Sequence, residues 1–207
     1  MTIAVGVFDL FAYSIPGSLY LSLLGYLAFR LNLLEPAAVL GLPGFLVVVG
    51  AVLLSYLLGY LAYPLGALVS RLVPNRRRHD ALAEFIGRTP AARDRDYVRA
   101  DPFLLLAALQ LHDDEAATHV NRTRATGVML RNCTPPLLAG AVAAVVEAVA
   151  GPRPAVAAVC AALFVVTAVV LVTQSRKHAR WATIKTLELC FWLPDIDDRL
   201  RTATSAP

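Results

Sequence analysis

The chain has 207 residues, of which 57% are hydrophobic and only 16% charged, with 19 Lys and Arg against 15 Asp and Glu for a net charge of +4. Soluble domains carry about 25% charged residues, so a large separate water-soluble domain is excluded. The three cysteines, Cys133, Cys160 and Cys190, are odd in number and show no CxxC or Cys/His pattern with metal-ligand spacing; they read as small apolar packing residues.

The chain opens MTIAVGVFDLFAY, without a basic region and with Asp9 inside the apolar run. A cleavable leader needs a basic start, an apolar core and a small-residue cleavage site, so this N-terminus is expected to be retained. A first span is expected over Leu10 to Phe29, ending at Arg30. Pro16 suits the first turn of a helix, where its missing N–H costs nothing. Residues 2–13 would then lie at the membrane interface with Asp9 as a cap; alternatively the span starts earlier and bends at Pro16.

A short connection, Asn32 to Pro36, leads to the longest apolar run, Leu42 to Leu72, which carries no charge before Arg71. About 20 apolar residues cross the roughly 30 Å hydrocarbon core of a bilayer, and this run exceeds that length. Gly59 lies among Tyr56, Tyr60 and Tyr63. Small residues let helices approach closely in lipid, and the tyrosines suit an interface belt or a bundle-facing stripe.

Leu72 to Arg131 changes character, with many arginines interleaved with eight acidic residues. Helices are expected from about Arg78 to Ile86, from Asp101-Pro102 through the apolar FLLLAALQL, and from His112-Asp113-Asp114-Glu115 onward. Asp101 is a natural N-cap and Pro102 a natural first residue. The run after Pro102 is too short to span and should pack on neighbours or lie against the membrane. A third span follows, Thr134 to Ala150, holding Glu147. The tight turn Gly151 to Pro154 implies an antiparallel hairpin with a fourth span, Ala155 to Thr173. The tail is amphipathic, with Trp181, Leu189 and Trp192 as interfacial anchors.

Of the 19 basic residues, 17 lie in Arg71 to Arg131 or in the tail; only Arg30 and Arg153 lie elsewhere. Basic residues stay on the cytoplasmic side, so both termini and the central segment are expected to be cytoplasmic. The fold expected is all-α and integral to the membrane: four transmembrane helices as two hairpins, with a helical cytoplasmic segment between them. Its parts are residues 1–72, 73–131, 132–174 and the tail 175–207.

The candidate chemistry is sparse. His112, Glu115 and His119 fall at i, i+3 and i+7, a spacing that could hold a transition metal, although Asp113-Asp114 reads as a helix start that would leave His112 outside. Glu147 is an intramembrane carboxylate and therefore a functional candidate; Arg153, across the turn, is its expected partner. Arg76, Arg77 and Arg78 can contact anionic head groups or simply enforce topology. Nucleic-acid binding is not expected, because acidic residues interleave the later arginines and no aromatic platform accompanies them. No nucleotide-binding loop, hydrolase elbow, metalloprotease helix or cofactor motif is present, so the chain reads as non-enzymatic and cofactor-free.

The opening Asp9…Tyr13-x-x-Pro16-Gly17, followed by an apolar span, resembles the start of a loose group of bacterial multi-span membrane proteins. Some of these act in anti-phage defence by perturbing the inner membrane. The resemblance implies a self-associating inner-membrane protein that disturbs the bilayer or forms a pore when a partner or small molecule engages its cytoplasmic segment. Asp9, Tyr13, Pro16, Gly17, Gly59 and Glu147 are then the oligomer or gating candidates. A membrane anchor for a cytoplasmic partner, or a small membrane enzyme acting on lipid, are the alternatives.

Overall fold

A computed structural model describes residues 3–33, 35, 41, 43–73, 80–193 and 196–198, with side chains from Leu10 onward, Phe11 excepted. Among these residues the chain is all-helical: α1 (Ile3–Arg30), α2 (Gly44–Leu61), α3 (Tyr63–Leu72), α4 (Ala81–Arg88), α5 (Pro102–His112), α6 (Asp114–Asn132), α7 (Thr134–Ala150) and α8 (Pro154–Phe191), with 3-10 turns at Pro90–Ala92 and Asp96–Arg99. Three helical runs are long and apolar enough to cross a membrane: Gly44–Leu61, the joined Asp114–Ala150, and Pro154–Phe191. The chain divides into two units, Met1–Pro74 with Thr126–Ser175, and Asn75–Ala125 with Arg176–Pro207.

Several local expectations are met, and two are corrected. α7 occupies Thr134–Ala150 as expected. Asp101 caps α5, its Oδ1 accepting from the N–H groups of Phe103 (2.7 Å) and Leu104 (3.3 Å). Asp113 Oδ1 accepts from Ala116 N–H at the start of α6 (3.0 Å). α1 is already helical at Ile3 and carries Pro16 in its interior, which is the earlier start given as the alternative; Pro16 does not open the helix. The run from Leu42 is interrupted at Ala62, where Pro64 has no N–H for the preceding turn. The expected fourth span continues without a break into the tail as one 38-residue helix that ends at Phe191. After Pro154 that stretch contains neither Gly nor Pro, and a change from apolar to polar side chains does not itself interrupt backbone hydrogen bonding.

In the first unit α1 packs most extensively on α2. The two backbones meet at Gly17 and Gly59: a Cβ on Gly17 would overlap the Ser55 carbonyl, and one on Gly59 would overlap the Tyr13 carbonyl. Small residues one turn apart, Ser55 and Gly59, thus form the seat for α1. Tyr13 closes the crossing, its ring 5.9 Å from Tyr56 and 5.7 Å from Tyr60. The outward face of α2 leaves Phe45 76% and Leu53 60% exposed, and that of α8 leaves Val159 and Val166 exposed.

The second unit has a dense core of its own: Phe85, Tyr97, Leu105, Leu109, Val120, Leu187, Cys190 and Ile196 are buried together. α5 divides accordingly, with Leu105, Leu106 and Leu109 inward and Phe103, Leu104 and Leu111 outward. Ion pairs knit the surface, Glu84 with Arg88 (2.5 Å) and Arg180 (3.5 Å), and Lys185 with Glu188 (2.6 Å). Trp181 and Trp192 are exposed, with the Lys177 ammonium 4.6 Å from the Trp181 ring centre. Leu189 packs instead against the core.

Candidate functional site

Two features of the first unit combine polar chemistry with apolar surroundings. The first is where α6 ends and α7 begins. Pro135 and Pro136 cannot give an N–H to the carbonyls of Arg131 and Asn132 one turn earlier. Gly66 of α3 sits directly against this backbone: a Cβ there would overlap the Asn132 side chain and lie 3.2 Å from the Arg131 carbonyl. Asn132 is fully buried, and neither its Oδ1 nor its Nδ2 has a hydrogen-bond partner among the described residues. The Arg131 guanidinium stacks 4.8 Å over the Tyr63 ring, with its Nε and Nη2 buried and unbonded. Cys133 and Thr134 are buried beside them. The Thr134 hydroxyl donates to Leu130 (3.3 Å), and nearby the buried Ser175 hydroxyl of α8 donates to the Gly127 carbonyl (2.7 Å). This junction holds a cation and an amide ready to bond.

The second feature is a cleft of about 680 Å³ between α1, α7 and α8. Its polar end is built around Glu147, whose Oε2 accepts from Arg30 Nε (3.1 Å) and from the Tyr26 hydroxyl (3.4 Å). The Gly151 N–H returns to the Glu147 carbonyl (2.7 Å), which holds the turn closed. Arg153, expected to neutralise Glu147, lines the cleft but makes no ion pair among the described residues; the partner is Arg30, 117 positions away. The correction has a simple cause: α1 packs beside α7, and its last residue reaches the carboxylate first. Farther in, the lining is apolar, with Leu19, Leu23, Leu137 and Phe164; the Phe164 ring lies over Gly140.

The remaining sequence candidates are dispersed. Tyr13, Pro16, Gly17 and Gly59 belong to the α1–α2 crossing region, with Pro16, Gly17 and Gly59 buried. Asp9 lies within α1, and its side chain is outside the described set; Arg76, Arg77 and Arg78 are outside the described residues altogether. His112 ends α5, whereas Glu115 and His119 belong to α6, and Asp113 interrupts the helix between them. All three are exposed, and among the described residues no three His, Cys, Asp or Glu side chains gather as a metal-binding set.

Sequence reading missed Asn132, Arg131 and Gly66; the available signal was the Pro-Pro pair just after Arg-Asn-Cys-Thr at the edge of a span. It also missed the clasp of the second unit. There Asp197 Oδ1 accepts from Tyr97 N–H (2.9 Å) and Oδ2 pairs with Arg95 (2.5 Å). The Tyr97 hydroxyl is buried without a partner among the described residues. Burial pushes its pKa up to about 12, with Arg95 opposing and Cys190 and Asp197 adding to the rise.

No protein-family model matches the sequence, and no curated protein and no solved structure is significantly similar to it.

Proposed function

We propose that the chain is a self-associating, four-span protein of the bacterial inner membrane that perturbs the bilayer when its cytoplasmic helical segment is engaged. α1 is the additional span, and both termini face the cytoplasm, as the distribution of Lys and Arg favours. The observation that carries the reading is the buried Asn132 amide beside the buried Nε and Nη2 of Arg131, none of which has a hydrogen-bond partner among the described residues. A buried unsatisfied polar group costs about 1–3 kcal/mol, and water is not at hand in a bilayer to relieve it. An arrangement in which these groups meet partners from a second copy, or line a wet path, therefore competes with the resting one. A partner or small molecule that binds the helical segment differently in the two states shifts the population between them. α6 is the covalent route, since it begins in that segment and ends at Asn132. The opening motif from Asp9 to Gly17, with its resemblance to anti-phage membrane effectors, supports the same role.

The test is membrane potential in bacteria expressing the chain, followed with a voltage-sensitive dye with and without phage challenge. Depolarisation by the wild type, abolished by Asn132→Leu at equal protein level, is expected. A wild type that never depolarises cells removes the proposal. The dense core and surface ion pairs of the second unit favour one other reading, an anchor for a cytoplasmic partner. A stoichiometric partner recovered by pull-down, with no change in permeability, would select it.

A further inference from the structure

We infer that the cleft between α1, α7 and α8 is a binding site for one acyl chain of an anionic phospholipid, its phosphate held at Arg153. The cleft volume of about 680 Å³ lies within the range of small-molecule sites, about 300–1,000 Å³. From Pro136 to Glu147 its α7 wall rises about 17 Å, close to the roughly 15 Å depth of one leaflet, half the hydrocarbon core.

Polarity is graded along this length. Tyr26, Glu147 and Arg153 gather where α1 and α7 end and α8 begins, whereas Leu19, Leu137 and Phe164 line the body. An acyl chain with a charged head has the same polarity profile. The charge at the mouth fixes the sign of the head: Arg30 and Arg153 supply two positive charges, and Glu147 supplies one negative. Arg30 is committed to Glu147 at 3.1 Å, and Arg153 has no ion-pair partner among the described residues. One guanidinium remains, and it matches a phosphate by charge and by its planar donors. The Phe164 ring packs directly over Gly140, and both belong to the apolar wall along which the chain would lie. This site is separate from the Arg131–Asn132 junction, and its test does not depend on any effect on membrane potential.

The experiment is native mass spectrometry of the full chain in mild detergent, titrated with phosphatidylglycerol or phosphatidylcholine. The wild type is expected to retain one phosphatidylglycerol per chain in preference to phosphatidylcholine. Arg153→Gln, at an exposed position, is expected to weaken phosphatidylglycerol retention about fivefold and to leave phosphatidylcholine unchanged. Ala144→Trp, which fills the cleft, is expected to remove both. Equal retention of the two lipids by wild type and Arg153→Gln overturns the inference. So does displacement of the lipid by millimolar inorganic phosphate, which would make the site one for the free anion. Retention unaltered in Ala144→Trp while the oligomeric mass changes also overturns it, because a second copy would then occupy the cleft.

Discussion

Gly17 and Gly59 are required by space and not by backbone conformation, since each faces a carbonyl of the opposite helix. Gly17→Leu and Gly59→Leu should each destabilise the first unit by about 3 kcal/mol or more, at the upper end of overpacking costs. Gly25→Ala meets nothing within 4 Å and should be neutral. Thermal unfolding in detergent, read by circular dichroism, separates the two outcomes. Asn132→Leu removes a buried amide that has no hydrogen-bond partner among the described residues and should stabilise the chain by about 1–3 kcal/mol in the same assay. Tyr97 supplies the pH dependence. Its folded pKa, about 12, exceeds the ordinary 10.0, so above pH 10 the unfolded chain releases this proton first. The folded state then binds more protons than the unfolded one, and stability falls as pH rises from 10 toward 12. Denaturation curves from pH 8 to 11.5 should show this decline, and Tyr97→Phe should flatten it without loss of stability at pH 8.

At the scale of elements, helix ends and clasps carry the specificity. α1 ends at Arg30, and just beyond it Asn32 has φ 55, while Leu33 N–H bonds the Ala28 carbonyl (2.8 Å) and Asn32 N–H bonds that of Phe29 (3.2 Å). This is the Schellman ending, and Asn tolerates its left-handed residue far better than a β-branched side chain. Asn32→Val should therefore cost about 1 kcal/mol or more, and Asn32→Gly should cost nothing, measured by the same thermal unfolding. The helical residues 196–198 are held to Asp96–Arg99 through Asp197. A largely buried carboxylate bonded to both a backbone N–H and a guanidinium contributes about 1.5–3 kcal/mol. Asp197→Ala should release these residues, visible as earlier proteolytic cleavage after Trp192 and a shift in its fluorescence. By contrast, Glu147→Gln should change stability by less than about 1 kcal/mol, because Arg30 is 55% exposed and its pair is screened.

Across the whole molecule the two units solve burial differently. The second hides Phe85, Tyr97 and Leu105 in a core and places ion pairs outside. The first turns Phe45, Leu53 and Leu61 of α2 and Val156, Val166 and Val170 of α8 outward, an apolar surface that water does not accommodate. Alkaline carbonate washing should therefore leave the chain in the membrane pellet, and its recovery in the supernatant would contradict this distribution. Helical class and membrane-length apolar runs were legible in the sequence, four spans being expected where three such runs are found among the described residues, because apolar length, N-cap residues such as Asp101 and Asp113, and breakers such as Pro154 all act within a few residues of where they stand. The break at Ala62 and the continuity of α8 were less legible, since both turn on backbone hydrogen bonds that hydropathy does not report. The pairing of Glu147 with Arg30, the seating of Gly17 on Ser55, the isolation of Asn132 beside Gly66 and the hold of Asp197 on Tyr97 were decided only by the tertiary structure. Each joins residues tens of positions apart, and which helix faces meet depends on packing complementarity and on polar groups finding partners across space, which no local pattern in the chain encodes.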